Sequence, residues 1–432
     1  MDGETNFLSD LRVVPQYSQG PPAGIFNLGN TCYVNAALQV LSNCEPLRQY
    51  FLSTKFFSID SFSLHFANIL MHLYQGSATK GSMAERSNVV YPFAFVRKIK
   101  IADARFQGND QHDSQEFIDF LLDALHEEIA KENLPFAPSP IPTSPRSVIS
   151  TTFTGSMKNE IECLCCHTIS GLKEDFFNVS VELPNPPGEV APSGLGSFIA
   201  WFKQTWLGDV LDNILPDFSP TTLHECFEAF CKEEIMKDEN QYFCSTCNER
   251  QNAKKTLKIC KLPDILIITL KRFKYSSHYS RKINRTVSFP MTDFDVRRFV
   301  TPDIPLDDSR YDLVGMINHQ GSMSSGHYVA FTRTYGREWY ECDDSFVHPV
   351  TTEFVQQQQA YTLVYQCVSS AANQRRCDFL AAVDKGMARG YQIWYQIQGT
   401  RVSNLVSNPG YEGIKSGIKS PMMVGPFWGV RL

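Results

Sequence analysis

The chain has 432 residues, of which 43% are hydrophobic and 20% charged, with a net charge of −6. That composition is enough for a sizeable core, and at ~150 residues per domain the length allows two or three domains or one large enzyme domain with insertions. No sustained basic block is present, which argues against nucleic acid as a partner, and no apolar run approaches the length of a membrane span.

In chain order, residues 1–20 read as a polar tail without an apolar signal core, ended by Gln19-Gly20-Pro21-Pro22. The 13 cysteines therefore read as thiols, metal ligands or nucleophiles of a cytoplasmic protein, nuclear and perinuclear sites included, rather than as disulfides. At residues 24–41, GIFNLGNTCYVNAALQVL, Cys32 stands at a turn rich in Gly and Asn. A predicted helix follows, in which Val34, Ala37, Leu38 and Leu41 recur at helical spacing. A thiol there lies near the positive end of the helix dipole, which favours thiolate over thiol. Asn27, on the same turn, could aim an amide donor at an oxyanion beside Cys32. A lone cysteine is more often a buried structural one, so partner residues elsewhere must decide.

Residues 62–74 predict a second amphipathic helix, and 76–88 a small polar loop. A stronger helix is predicted over 113–130, with Phe117, Phe120, Leu121, Ala124, Leu125 and Ile129 as its core stripe. Asp113 and Glu116 stand three apart at its start, either as a capping box or as an acidic patch for a basic peptide. Residues 135–145 are a Pro-rich linker. Two CxxC pairs follow, Cys163/Cys166 and Cys244/Cys247, whose spacing is that of a tetrahedral structural zinc site. The fold must bring them together, at the tips of two β-hairpins, with Cys165 a bystander. Between them, residues 184–218 read as an insertion. Its aromatic stretch at 197–215 suggests an irregular amphipathic helix, packed on its own domain or offered to a partner protein or membrane interface. Strands are predicted at 265–270, 328–332, 338–341 and 361–366, giving a sheet late in the chain.

His327 is placed where the Gly/Ser-rich loop of NHQGSMSSGHYVAF enters a strand, and Asp343-Asp344 follow the next strand. With Cys32 these make the order and chemistry of a Cys-His-Asp triad: nucleophile, general base and acid, and orienting carboxylate.

The motifs taken together resemble the ubiquitin-specific proteases, papain-like cysteine peptidases that remove ubiquitin. NLGNTCYVNAALQ is similar to that family's Cys box, QHDSQEF to its QQD-containing helix start, and GSMSSGHYVAF with WYECDDSFV to its His box. The two CxxC pairs and LPDILIITLKRF lie between these in the family's order, and the likeness runs from about residue 22 to 367. Val34 and Ala36 replace a common Met and Ser, His112 a second Gln, and Cys342 an apolar aromatic.

The resemblance implies an α+β, hand-like fold over residues 21–368: a helical thumb with Cys32, a palm sheet with His327, and zinc-tipped fingers gripping ubiquitin. It implies Cys32, His327 and Asp343 as the triad, Asp344 as substitute or helper, and Asn27 as oxyanion donor. Asp113 and Glu116 would meet arginines of the ubiquitin tail, and His319 would lie on a loop lining a channel too narrow for anything but the tail's two glycines. The aromatic insertion also resembles that of the von Hippel-Lindau-interacting deubiquitinase subgroup. That subgroup's N-terminal zinc-finger domain is not expected in the 20 residues before Pro21, and 369–432 would be a remnant of its accessory domains. A ubiquitin-binding scaffold without catalysis, or a peptidase for another ubiquitin-like modifier, is the rival expectation.

Overall fold

A computed structural model describes residues 21–53, 61–75, 89–133, 147–184, 221–275, 280–322, 325–334 and 337–369. The expected tail at 1–20, loop at 76–88, linker at 135–145, aromatic insertion helix at 197–215 and the segment beyond Ser369 lie outside the described residues.

The first third is helical: β1 (Gly24–Ile25), α1 (Cys32–Ser42), α2 (Glu45–Ser53), α3 (Phe62–Gln75), β2 (Val89–Val90), α4 (Phe93–Ala102), α5 (Ser114–Asn133) and α6 (Val148–Thr152). The predicted helices at 62–74 and 113–130 match α3 and α5 to within a turn. Helix α1 departs from expectation, because all 11 of its residues are buried rather than one stripe. A helix enclosed on every side belongs to the interior, and α1 packs against both α5 and the strands that carry His327 and Asp343. Each of its fully buried Leu and Val side chains contributes about 1.5–3 kcal/mol of burial.

The middle of the chain is built of hairpins. β3 (Gly155–Cys163) pairs antiparallel with β4 (Ile169–Phe176), followed by β5 (Asn178–Val181), β6 (Thr221–Thr222), α7 (Leu223–Phe230), β7 (Glu234–Met236), β8 (Tyr242–Cys244), β9 (Glu249–Gln251) and β10 (Ala253–Lys261). Strands β4, β3, β10 and β7 form one sheet in that order, while among the described residues β8 and β9 pair only with each other.

Most of the later described strands belong to the large sheet. After β11 (Ile265–Leu270) come β12 (Phe273–Tyr275), β13 (Ser280–Lys282), β14 (Val287–Ser288), β15 (Phe294–Asp295), β16 (Arg310–Gly321), β17 (Gly326–Arg333), β18 (Trp339–Asp343), β19 (Phe346–Val350), α8 (Thr352–Gln356) and β20 (Ala360–Cys367). Their order is β19-β18-β17-β16-β20-β11-β5, with β15 beside β16. All six residues of β11 are buried, as its unbroken ILIITL run requires of a strand covered on both faces. Two glycines set how closely the helical layer meets the sheet. A Cβ on Gly315 would stand 2.6 Å from Val40 Cγ1 of α1, and one on Gly24 only 2.2 Å from the Ser345 carbonyl oxygen. Arg272, 1% exposed, is the buried cation of the KRF run, and its guanidinium donates to the carbonyls of Ala360, Ile283 and Arg285. Among the described residues no helix is long and apolar enough to cross a membrane.

Candidate active site

Cys32 is the first residue of α1 and 3% exposed. The turn before it is shaped by polar side chains, since Asn27 Oδ1 accepts from the Gly29 and Thr31 amides at 3.0 and 3.1 Å. Gly29 and Asn30 adopt the left-handed conformation, which Gly and Asn tolerate best. That is why the predicted turn needs those residue types.

His327 lies at the start of β17 and Asp343 at the end of β18, as expected. His327 Nε2 lies 2.6 Å from Asp343 Oδ1, and its ring is near enough to the Cys32 sulfur to feel its charge. The neighbouring Cys32 sulfur, opposed by partial burial and supported by the Asp343 carboxylate, lifts the imidazole to about 9 from the ordinary 6.5. A ring held between a thiol and a carboxylate is poised to carry a proton to and from the sulfur side.

Consecutive strand residues point to opposite faces, yet Asp343 and Asp344 both face the site. The cause is the backbone of Asp344, left-handed at φ 49°. Its carboxylate accepts from Asn27 Nδ2 at 2.8 Å and from Asn35 Nδ2 at 2.7 Å. The two acids divide the work: Asp343 takes the histidine, and Asp344 the amides of the Cys32 turn and helix. Asn27 thus directs one amide hydrogen to Asp344, an orientation the turn alone did not reveal. Asn35 was missed in the sequence, although an Asn inside an otherwise apolar helix is a visible signal.

Asp113 sits one residue before α5. Its Oδ1 accepts from the Gln115 amide at 2.7 Å, and the Tyr361 hydroxyl donates to Oδ2. Burial pushes this carboxyl above its ordinary value. Half of the expected capping box is present; the other half is replaced, because Glu116 pairs with Arg105 at 2.7 Å on the surface. The substituted His112 packs its ring edge-on against Tyr33 and Phe106, at 5.5 and 5.2 Å between centroids. Gln111 is a second missed residue. Its side-chain amide pairs with the Gly326 peptide in both directions, accepting at 2.9 Å and donating at 2.8 Å, and so ties the start of α5 to the histidine strand. No local pattern reveals a partner 215 positions away.

His319 was expected on a loop and instead lies within β16, 6% exposed, between Tyr328 and Phe273. The pairing of β16 with β17 runs on as far as Gly321, so the strand absorbs the start of the Gly/Ser-rich segment. Burial, then Lys282 and His327, push its imidazole down to about 4, so the ring is neutral.

The four cysteines of the CxxC pairs meet. Cys163 and Cys247 sulfurs are 3.9 Å apart, those of Cys166 and Cys244 3.6 Å, and all four lie within 4.8 Å of one another. A tetrahedron of sulfurs about 2.3 Å from zinc has edges of roughly 3.8 Å, so the residues fit that ion. The two hairpin tips are built alike: the amides of His167 and Asn248 donate to the Cys163 and Cys244 carbonyls at 2.9 and 2.8 Å, and both residues are left-handed. Cys165 is exposed and outside the set.

A family model described as ubiquitin carboxyl-terminal hydrolase matches residues 23–365. Ubiquitin carboxyl-terminal hydrolase 22 of Mus musculus is 29% identical over 362 residues, 79% of this chain and 65% of the relative. Ubiquitin carboxyl-terminal hydrolase 2 of Bos taurus is 29% identical over 366 residues, 80% of this chain and 55% of the relative. The chain therefore spans just under two-thirds, or about half, of these relatives' lengths. Among solved structures, the SAGA Ubp8/Sgf11/Sus1/Sgf73 DUB module bound to ubiquitin aldehyde is similar in fold, with TM-score 0.61 at 23% identity over 84% of this chain and 76% of that one. With the model matching most of its length, the chain belongs to the ubiquitin carboxyl-terminal hydrolase family.

Proposed function

We propose that the protein is a thiol-dependent deubiquitinase that cleaves the isopeptide or peptide bond after the C-terminal glycine of ubiquitin. The observation that carries this reading is His327 set near Cys32, the first residue of a buried helix, with its Nε2 2.6 Å from Asp343 Oδ1. The Cys32 sulfur gives its proton to His327 and attacks the glycine carbonyl. His327 passes that proton to the leaving amine, and an acyl-enzyme remains. Water then attacks with His327 as base, the thioester breaks, and ubiquitin leaves as a carboxylic acid. Asn27 carries a second amide hydrogen beyond the one held by Asp344, available to the oxyanion. Ubiquitin carrying an electrophile at its C-terminus tests the reading: one ubiquitin should become covalently attached, and the linkage should map to Cys32. A folded protein that forms no adduct overturns it.

The His327 environment sets a pH dependence. A histidine raised from 6.5 to about 9 stabilises the folded state most below 6.5, and this contribution is lost as the pH rises through 9. Loss of the His327 proton should give kcat/KM an alkaline limb near pH 9. Asp343→Ala should lower activity roughly 10²-fold and move that limb toward neutral pH. A pH profile unchanged by the substitution would remove Asp343 from the triad.

Glu116 and Asp113 are the proposed readers of the ubiquitin tail's arginines. The Arg105–Glu116 pair is half exposed, and such pairs are worth under about 1 kcal/mol, so a substrate arginine displaces Arg105 at little cost. Glu116→Lys should raise KM about tenfold and leave the melting temperature unchanged. Asp113 is the poorer probe because it also caps α5. An unchanged KM for Glu116→Lys would leave both acids with structural roles only.

A further inference from the structure

An exposed aromatic row that the triad does not use begins at Phe26, directly before the Cys32 turn. Phe26, Tyr91 and Phe93 stack in series, with ring centroids 5.0 and 6.2 Å apart. Tyr91 and Phe93 are 59% and 61% exposed, and Ile101 at the far end of α4 is 68% exposed. Contiguous apolar surface of this kind marks a contact site rather than ordinary surface. The row borders an open groove of about 560 Å³ whose lining includes Leu28, Thr31, Arg97 and Lys100. Thr31 immediately precedes the nucleophile. Asn109 fastens the groove to the catalytic turn, accepting from Asn30 Nδ2 at 2.7 Å through its carbonyl and from Lys100 Nζ at 2.9 Å through its side chain.

The charge of this face is one-sided. Over its ten residues, FAFVRKIKIA, α4 carries Arg97, Lys98 and Lys100 and no acid, on a chain whose net charge is −6. Arg97 is exposed and has no ion-pair partner among the described residues. Cations set among exposed aromatic and aliphatic groups complement a segment that mixes acidic and apolar side chains.

We propose that the α4 groove docks an acidic segment with apolar neighbours, belonging to the protein from which ubiquitin is released. The inference rests on the deubiquitinase reading above. A scissile bond has ubiquitin on one side and a second protein on the other. Asp113, Glu116 and His319, assigned to the ubiquitin tail, are not among the residues lining the groove. The groove reaches the turn before Cys32 through Leu28 and Thr31, and the departing chain is placed there.

The test compares ubiquitin bearing only a small fluorogenic leaving group with ubiquitin joined by an isopeptide bond to lysine peptides of acidic or basic sequence. The wild-type protein should cleave the acidic-peptide conjugate about tenfold faster in kcat/KM than the basic one. Arg97→Glu should reverse that order, Tyr91→Ser should weaken cleavage of both peptide conjugates, and neither should change turnover of the small conjugate. Turnover of the small conjugate together with equal rates on acidic and basic peptides overturns the groove proposal alone. No turnover of the small conjugate overturns the deubiquitinase reading and the groove proposal with it. Loss in Arg97→Glu of binding to anionic vesicles, or of self-association in sedimentation, without any change in peptide preference would assign the patch to a lipid surface or to a second copy and overturn the proposal.

Discussion

Cys32→Ala should abolish turnover of a fluorogenic ubiquitin conjugate, lowering kcat by roughly 10⁴–10⁶-fold, the scale seen when a nucleophile is removed from a triad. The residual rate should not fall further when His327→Ala is added, because groups that act as one unit lose their effect together. The loss is of chemistry and not of fold. Cys32 is one small side chain at the first turn of α1, and the rest of that helix stays packed against α5 and the sheet. The variant should therefore still bind ubiquitin, and its melting temperature should stay within a few degrees of wild type. Turnover that survives in Cys32→Ala would refute the nucleophile assignment. Loss of ubiquitin binding along with turnover would mean that the side chain supports the structure of the turn.

Replacing two of the four clustered cysteines, Cys163→Ser with Cys244→Ser, should produce the largest stability effect. Among the described residues, strands β8 and β9 pair only with each other, and an isolated two-stranded hairpin is marginal in water. The neighbouring β4 offers little help, since seven of its eight residues are exposed. Besides the bond from the Leu164 amide to the Asn252 carbonyl at 2.9 Å and the Ser170–Tyr242 hydroxyl contact at 3.0 Å, the four sulfurs fasten one hairpin tip to the other. Structural zinc sites supply binding energy directly to folding, and losing several kcal/mol lowers the melting temperature on the order of 10 °C. Mass spectrometry under native conditions should show one zinc in the wild type and none in the double variant. Cys165→Ser, outside the cluster, should change neither metal content nor melting. Wild-type protein that holds no zinc, and a double variant that melts with it, would return these cysteines to unconnected thiols. If the hairpins also grip ubiquitin, affinity for ubiquitin should fall with the metal.

What could be read in advance was whatever has a local cause. The turn before Cys32 is written in Gly29 and Asn30, the hairpin tips in their CxxC spacing, and β11 in an unbroken apolar run that coincides with the observed strand. What could not be read depends on contacts made far along the chain. Asn27 and Asn35 turn toward an acid more than 300 positions away. Gln111 finds its peptide partner only once β17 has been laid against α5. The family resemblance implies a loop for His319, whereas β16 extends to Gly321 before the chain turns. The burial of α1 on every side has the same origin: a helix's own period shows one apolar stripe, not which of its other faces neighbours will cover.

The separation of Cys32 from its partners has a consequence for biosynthesis. Cys32, the proposed nucleophile, lies in the first tenth of the chain, whereas His327 and Asp343 come some 300 residues later. At about 5–20 residues per second, synthesis leaves Cys32 without the histidine proposed as its proton acceptor for tens of seconds. During that interval α1 also lacks β16, β17 and β18, the strands that cover it. Assembly of the site is thus a late, long-range closure, and a nascent chain carries neither a completed enzyme nor a finished core until the histidine strand has emerged and docked. A truncation before residue 326 removes both at once, so incomplete products of translation would be inactive and recognisable as unfolded.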